Sequence, residues 1–256
     1  MSSCVLLGLL AVAVTAADPW MPPEDPDPAA ILREAQDDTR NGQYEHALAK
    51  HVWYHKSALA YQPSQVAVRR SFALSYWKQL ADAYSPALVK LLEMREEAEA
   101  KVKAGRTVAD SFHDYVAINR YLGDEARTNE LFLALHAEHP DRAKQVYGVA
   151  QPALIKAKQY EVCMQYIQPA TSLERSVSMF GLNKAMAKEK FGPRHQEYAE
   201  RKFTNDAATL VGLLAVNGRA AEASNLALDA KKAWNNADFF KAIDEAVEGK
   251  VPDPWP

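Results

Sequence analysis

Cysteine and glycine are both scarce in this sequence, and each scarcity narrows the possible folds. The 256 residues include two cysteines and ten glycines. Cys4 lies in an apolar N-terminal run that we expect to be removed, so Cys163 would stand alone and no internal disulfide could form. Cys163 has no adjacent histidine and no Cys-x-x-Cys partner, which predicts a small buried residue rather than a reactive thiol. Scarce glycine favours helix, because glycine costs up to about 1 kcal/mol at a helical site.

An excess of charge of one sign is also lacking. Thirty-three acidic residues nearly balance thirty lysines and arginines, giving a net charge of −3. No block of lysine and arginine occurs, so nothing indicates binding to nucleic acid or to an anionic membrane surface. The sequence also lacks a glycine-rich loop that could hold phosphates, which argues against a nucleotide-dependent enzyme.

The one long apolar run lies at the N-terminus and predicts export. It extends over residues 4–14, and no charged side chain occurs before Asp18. A bilayer span needs roughly 20 apolar residues, so this run is too short to cross a membrane. Small residues follow it, which predicts a signal peptide over residues 1–17, cleaved near Ala16 or Ala17. The mature protein would then be periplasmic or secreted, without a stable membrane anchor. The run lacks a preceding Lys or Arg, so a buried N-terminal helix is the alternative.

Proline-rich segments flank the chain. Residues 18–28 hold five of the 14 prolines, and residues 251–256 have the same character. Proline fixes φ and removes a donor, so we expect an extended lead-in and an extended tail. Each segment carries the triplet Asp-Pro-Trp, with Trp20 in the first and Trp255 in the second. Each ring either packs against an end of the core or forms a short docking motif for an envelope complex, in which the protein would be a structural component.

Between these segments the pattern is helical throughout. Residues 29–250 show apolar residues at helical spacing and few runs that alternate as strands do. The remaining prolines fall mostly where helices should begin or end, and Pro152 with Gly148 predicts a kinked or broken helix. The sequence therefore predicts one continuous all-α domain of roughly eleven helices with short connections.

A helix-hairpin signature recurs, in degraded form, about every 35 to 45 residues of that domain. Its clearest copy places Gly42 in a turn, Tyr44 and Ala47 in the helix that follows, and Pro63 at the end. Further copies are marked by these residues: Leu74, Ser75, Tyr84, Ala87 and Leu91; Gly123, Thr128, Phe132 and Pro140; Tyr160, Cys163 and Ile167; Leu210, Gly218, Ala223 and Ala230. Residues 170–205 fit no copy. This pattern resembles the tetratricopeptide-repeat superfamily in a degenerate form.

The resemblance implies a right-handed superhelical stack of antiparallel helix hairpins, an α-solenoid. It also implies that the first helix of each hairpin lines a concave binding face. The positions that carry ligand contacts in that family correspond here to Arg40, Arg69, Tyr76, His113, Arg120 and Lys156, with Asp110 the one acid nearby. Cationic side chains along such a face would suit an acidic peptide or a free C-terminal carboxylate. We therefore expect a non-catalytic protein-interaction or scaffolding module with a protein or peptide partner and no cofactor.

Histidines offer the competing hypothesis of a metal-binding or hydrolytic protein. His51 and His55 are four residues apart and would share one helical face, and His113 could supply a third ligand. No glutamate lies between the first two in metalloprotease fashion, so a structural role is the alternative for both. Asp110, His113 and Asp114 could place a carboxylate next to an imidazole, as acid–base sites do, but the one nearby hydroxyl, Ser111, has no elbow glycines around it. The partner and the oligomeric state stay open.

Overall fold

The computed structural model describes residues 19–255, so the expected signal peptide over residues 1–17 lies outside the described residues. Within that range every regular element is helical, which confirms the all-α class. The thirteen α-helices exceed the expected eleven, and two of them, α3 and α9, have only four and five residues. The chain divides into two compact units between Leu92 and Glu93, a boundary that falls inside one long helix, α5.

The first unit holds residues up to 92. Its elements are α1 (Pro28–Arg40), α2 (Tyr44–Tyr61), a 3₁₀ turn (Pro63–Gln65), α3 (Val66–Arg69), α4 (Phe72–Ala83) and the start of α5 (Ser85–Lys103). Asp27 caps α1 by accepting a hydrogen bond from the Ala29 amide at 2.9 Å. Gly42 adopts φ of +76° between α1 and α2, a conformation that favours glycine. The first hairpin therefore turns where the repeat signature places its glycine.

The core of the first unit combines aromatic packing with a buried ion pair. Trp77 is 1% exposed, and its indole N–H donates to the Ala87 carbonyl at 3.0 Å. Lys50 Nζ, almost fully buried, lies 2.8 Å from Asp38 and 3.0 Å from Glu34. Burial alone would lower the pKa of Lys50, but the hydrogen bonds to these two carboxylates outweigh it and leave the pKa raised. This pairing joins α1 to α2 inside the hairpin.

The second unit holds residues 93–255. After the rest of α5 come α6 (Val108–Leu122), α7 (Glu125–Glu138), α8 (Pro140–Lys156), α9 (Tyr160–Met164), α10 (Pro169–Met186), a π-helical segment (Ala187–Phe191), α11 (Pro193–Val216), α12 (Ala220–Ala233) and α13 (Ala237–Val247). One apolar core gathers side chains from α5 to α9 together with Leu213, and a second gathers α10 to α13. Gly123 and Gly218 adopt positive φ at the turns of α6–α7 and α11–α12.

Two polar contacts explain departures from the repeat pattern in this unit. Thr128 occupies a slot where the tetratricopeptide family has a small alanine, and its buried hydroxyl accepts a hydrogen bond from Asn119 at 3.1 Å. Arg95 is buried and lies 2.8 Å from the Asp124 carboxylate, which ties α5 to the α6–α7 turn. These polar pairs fix neighbouring helices of the second unit.

None of the helices described over residues 19–255 is long and apolar enough to cross a membrane.

Candidate functional site

A polar cavity of about 540 Å³ lies in the second unit. It is bounded by α8, by the α9–α10 connection, by α10, by α11 and by the C-terminal tail, residues 251–255. The lining comprises Tyr147, Gly148, Gln151, Pro152, Ile155, Tyr166, Ile167, Ser172, Arg175, Ser176, Lys202, Asn205, Asp206, Thr209, Leu210, Pro254 and Trp255. This size falls within the range of small-ligand and peptide side-chain pockets.

The α8 wall of the cavity follows from a proline inside a helix. Pro152 has no amide hydrogen, so the carbonyl of Gly148, four residues earlier, loses its helical donor. Gly148 also has no side chain, and both residues line the cavity. The sequence predicted a kinked or broken helix at this point; α8 is continuous from Pro140 to Lys156, so it is not broken, and the kink stays a prediction. This wall therefore combines a stretch of backbone at Gly148 and Pro152 with the side chains of Tyr147, Gln151 and Ile155.

Aromatic side chains and a thiol lie beside that wall. The rings of Tyr147 and Tyr166 stack with centroids 5.1 Å apart, and the Tyr166 hydroxyl lies 2.6 Å from Nδ1 of His136. Burial raises the pKa of the Tyr147 hydroxyl above its ordinary value. Burial also raises the pKa of Cys163 to about 11, so the thiolate is negligible at neutral pH. Cys163 is fully buried, as predicted, and is chemically inert.

The charges of the cavity lie on α10 and α11. Lys202 Nζ is 2.6 Å and 2.8 Å from the two carboxylate oxygens of Asp206, one helical turn away. Burial raises the pKa of the Asp206 carboxyl, and the Lys202 ammonium partly opposes that rise. Arg175 is exposed at the cavity and has no carboxylate partner within residues 19–255. The cavity therefore presents one internally neutralised pair and one available guanidinium.

The C-terminal tail lies along α11 without forming a helix. Asn205 Nδ2 donates to the backbone carbonyl of Asp253 at 2.8 Å. The Trp255 ring centroid is 5.4 Å from that of Tyr198 and 4.6 Å from the guanidinium carbon of Arg201. Elsewhere on α11, an added Cβ at Gly212 would lie 3.0 Å from the Lys250 carbonyl oxygen. The tail is thus held by one main-chain hydrogen bond, one ring contact, one cation–π contact and one close backbone approach.

A second cavity of about 350 Å³ lies under this tail, between α11 and α13. Its lining includes Thr204, Ala208, Ala242 and Glu245 together with residues of the tail. The tail therefore does not fill the surface on which it rests, and space remains on both of its sides.

The N-terminal segment packs on the first unit by similar chemistry. The Trp20 ring meets that of Trp53 edge to face at 6.3 Å, and Lys50 Nζ lies 5.8 Å from the Trp20 centroid. Beside it is a mostly apolar hollow of about 600 Å³ on α2, with Val52 and Tyr84 in its lining. Both Asp-Pro-Trp tryptophans thus contact an aromatic ring and a cation, which fits the expectation that each packs at the surface of a core.

Three of the six residues expected to line a concave face lie in the first unit, and they differ from one another. Arg40 is exposed and forms an ion pair with Asp37 in the last turn of α1. Arg69 is only 7% exposed, and its guanidinium donates to the His55 carbonyl at 2.8 Å. Tyr76 is half-buried and packs against the small core around Tyr54. Of these three, only Arg40 presents its charge to solvent.

The other three lie in the second unit. His113 is half-buried on α6, and Arg120 is exposed near the end of that helix. Lys156 is exposed and pairs with Glu125 at 3.0 Å, which lowers the pKa of that carboxyl. None of the six lines the polar cavity of this unit.

Two of the histidines proposed as metal ligands, His51 and His55, contact the ring of Trp77. No group of three or more His, Cys, Asp or Glu side chains within residues 19–255 is placed to hold a metal ion. His51 is 1% exposed and stacks on Trp77 with centroids 5.8 Å apart, whereas His55 meets the same ring edge-on at 6.0 Å. Burial lowers the pKa of His51 to about 3, so the ring is neutral in the folded protein at ordinary pH.

Sequence reasoning missed the residues that build the polar cavity. Arg175 and Lys202 fall in the stretch 170–205 that fits no repeat, and no role was predicted there. A usable signal was the spacing of Lys202 and Asp206, because opposite charges four residues apart pair along a helix face. The contribution of Trp255 to the same cavity depends on a long-range contact that no local pattern encodes.

Comparison of the chain with protein-family models, with curated proteins and with solved structures gave no match. The resemblance to tetratricopeptide repeats therefore stays a prediction.

Proposed function

We propose that this chain is a non-catalytic interaction module whose second unit binds an extended, proline-containing peptide segment along α11. The single observation that carries the proposal is the C-terminal tail itself, residues 251–255. A helix surface that holds such a segment through the Asn205 amide and the Tyr198 and Arg201 side chains has the chemistry needed to hold a similar segment of a partner.

The contacts to the tail are of the kinds that peptide-binding domains use. An amide that donates a hydrogen bond to a backbone carbonyl recognises the main chain of a peptide and tolerates different side chains. A tryptophan ring placed between an aromatic ring and a guanidinium gives specificity, because each contact contributes about 0.5 to 1 kcal/mol at an exposed site. Proline preorganises the segment in an extended form, which reduces the entropy lost on binding. The partner segment would thus combine proline and tryptophan.

The polar cavity gives a reason for a partner to bind more strongly than the tail. Its lining includes both Trp255 and Arg175, and Arg175 has no carboxylate partner among the described residues. A partner with an acidic group beyond its tryptophan would gain a charge-assisted hydrogen bond there. The sequence pattern predicted an acidic peptide or a free carboxylate as the partner. We propose the same class of partner, with its binding site at the cavity of the second unit.

We also propose an architecture, a location and a role for this module. A superhelical stack of hairpins, export of the mature chain to the periplasm or the extracellular space, and a scaffolding role would suit such a module. Glycine-centred turns such as the one at Gly42 support the stack, and the apolar run at residues 4–14 supports export.

Binding of a peptide in trans tests the function. A fluorescent peptide with the tail sequence Val-Pro-Asp-Pro-Trp-Pro should bind the full chain, and the same peptide with alanine for tryptophan should bind at least about fivefold more weakly, from the loss of the ring contacts. Replacing Asn205 and Arg201 by alanine should abolish binding, whereas alanine at Arg120, exposed on α6, serves as the matched control. Equal binding of both peptides to all three proteins would disprove the proposal.

An alternative function is that the two Asp-Pro-Trp segments leave their own units and dock into an envelope partner, with this chain as a structural component. The similar environments of Trp20 and Trp255, each beside a ring and a cation, favour a shared role for the two segments. Replacing both tryptophans by alanine would then abolish assembly with that partner while the helical content stays unchanged in circular dichroism.

A further inference from the structure

An exposed apolar strip runs along the hairpin that joins α10 to α11. Met179, Leu182 and Met186 lie at positions i, i+3 and i+7 of α10, which puts them on one face of the helix. Their exposed fractions are 49%, 53% and 36%, high values for large apolar side chains. Phe191, in the connection between the two helices, is likewise 49% exposed. The strip therefore reaches the tip of the hairpin.

Aromatic rings extend the strip onto α11. His195 lies between Phe191 and Tyr198, with ring centroids 5.1 Å and 5.8 Å away. Tyr198 and Met179 line one shared cavity of about 300 Å³, which connects this ring series with the α10 face. Exposed apolar surface of this continuity is uncommon in a soluble monomer and marks a contact surface.

The hairpin tip is strongly basic in a chain whose net charge is −3. Residues 184–194 contain four cations, Lys184, Lys188, Lys190 and Arg194, and one acid, Glu189. All five are exposed. They form no continuous basic block in the sequence, because the cations alternate with apolar residues and are spread over a helix end, a π-helical segment and the start of another helix.

Two of the lysines lie directly over the apolar rings. Lys184 Nζ is 5.1 Å from the centroid of Phe180, and Lys190 Nζ is 5.4 Å from that of Phe191. Phe180 is buried, but Phe191 is exposed, and a cation above an exposed ring matches the layering of a membrane interface, where charged groups meet phosphates and rings lie below them.

The backbone at the tip is built to turn sharply. The segment Ala187–Phe191 is π-helical, and Gly192 follows with φ of +73°, which favours glycine. Pro193 then starts α11, a position where its missing amide hydrogen costs nothing. This geometry presents Phe191 and the neighbouring lysines at the apex of the hairpin, where they can reach a flat surface.

We propose that the tip of the α10–α11 hairpin is a docking surface for an anionic lipid bilayer. Lys184, Lys188, Lys190 and Arg194 would engage the lipid phosphates, while Met186 and Phe191 enter the headgroup region. Charge complementarity favours this partner, because the local excess of three positive charges attracts an anionic surface. The contact is peripheral, with the apolar side chains of the tip in the headgroup region and the helices outside it. The four cations, Met186 and Phe191 make no contact with the tail, residues 251–255, whereas Tyr198, at the far end of the strip, also contacts Trp255.

Vesicle co-sedimentation with the full chain tests whether the cations of the hairpin tip bind anionic lipid. Binding should occur to vesicles of equal parts phosphatidylcholine and phosphatidylglycerol and be lost on phosphatidylcholine alone. Each lysine near an anionic surface contributes about a fivefold gain, so Lys188→Glu with Lys190→Glu should weaken binding by about 25-fold or more. The control Lys101→Glu with Lys232→Glu makes the same change in net charge at an exposed pair elsewhere in the second unit. Binding of this control to the mixed vesicles should stay unchanged. Equal loss in both double variants would overturn the proposal.

A second comparison tests the apolar contact. Phe191→Ser should weaken binding to the mixed vesicles, whereas Leu228→Ser, at a 61% exposed position on α12, should not. Circular dichroism of each variant checks that it is folded. No binding of the folded wild-type chain to the mixed vesicles, or equal binding to both lipid compositions, contradicts the proposal. A dimer in sedimentation velocity that Phe191→Ser dissociates, without vesicle binding by the wild type, would assign the strip to a second copy of the chain and overturn it.

Discussion

Acid should destabilise the first unit through a single buried histidine. His51 is 1% exposed, stacks on Trp77, and neither ring nitrogen has a hydrogen-bond partner within residues 19–255. Its pKa is lowered by burial from 6.5 to about 3. Between these values the unfolded chain binds a proton that the folded chain does not. Stability is therefore fully present above about pH 6.5 and is lost as the pH falls towards 3.

The size of this effect follows from the two pKa values. At pH 5 the unfolded state gains about 2 kcal/mol from protonation of His51, while the folded state gains almost nothing. Urea denaturation at pH 7.5 and pH 5, followed by tryptophan fluorescence, measures the difference. The first unit contributes Trp20, Trp53 and Trp77 to that signal.

His51→Leu removes the titrating group and keeps the side chain apolar. The informative quantity is the change in the free energy of unfolding between the two pH values, not its value at neutral pH. That change should be about 2 kcal/mol smaller in His51→Leu than in the wild type. His139→Leu, at an exposed position, controls for the loss of any histidine and should retain the wild-type pH dependence. An equal pH dependence in His51→Leu and the wild type would refute the assignment of a buried neutral ring.

Two further predictions concern a buried arginine and a glycine under the C-terminal tail. Arg69→Glu should lower the free energy of unfolding, measured by urea titration, by about 3 to 5 kcal/mol because it buries an unpaired carboxylate. Arg120→Glu, at an exposed site, should change that free energy by less than about 0.5 kcal/mol. Gly212→Ala should displace the tail, since the new Cβ would lie 3.0 Å from the Lys250 carbonyl oxygen and 3.2 Å from Cα of Val251, and faster hydrogen exchange in residues 251–255 reports it. Gly181→Ala, with open space around its Cβ, is the matched control and should leave the tail protected.

The buried arginine also changes how a concave-face site must be tested. From sequence, Arg69 and Arg120 were equivalent, because the repeat pattern places both at ligand positions. The structure separates them: Arg69 donates to the His55 carbonyl, and Arg120 is exposed. A charge reversal at Arg69 would disturb the fold of the first unit, so loss of binding in that variant would not locate a groove.

Local signals in the sequence were sufficient to predict that the chain is helical and where several of its turns lie. Glycines 42, 123 and 218 were expected at hairpin turns, and each adopts the positive φ that such a turn needs. The helix through Pro152 was expected to be kinked or broken; it is not broken, and the kink stays a prediction. Its packing against α7 and α6 in the core outweighs the loss of one backbone hydrogen bond.

The candidate site could not be predicted because its parts are distant in sequence. Gln151 and Arg175 come from helices on either side of α9, and Asp206 lies in the middle of α11. Trp255 joins them only because the tail folds back along α11. Periodicity identifies which side of a helix is buried, but it does not tell which helices meet or where the chain end lies.

The most direct test of peptide binding along α11 is a competition between the tail and a free peptide. If residues 251–255 occupy the binding surface in cis, weakening their hold must strengthen binding in trans. Trp255→Ala in the full chain removes contacts to Tyr198 and Arg201 worth about 1 to 2 kcal/mol in total. The Kd of the Val-Pro-Asp-Pro-Trp-Pro peptide, measured by fluorescence anisotropy, should therefore decrease by about 5- to 30-fold relative to the wild-type chain. An unchanged or increased Kd would contradict the account, because the tail would then not occupy the surface that the peptide binds.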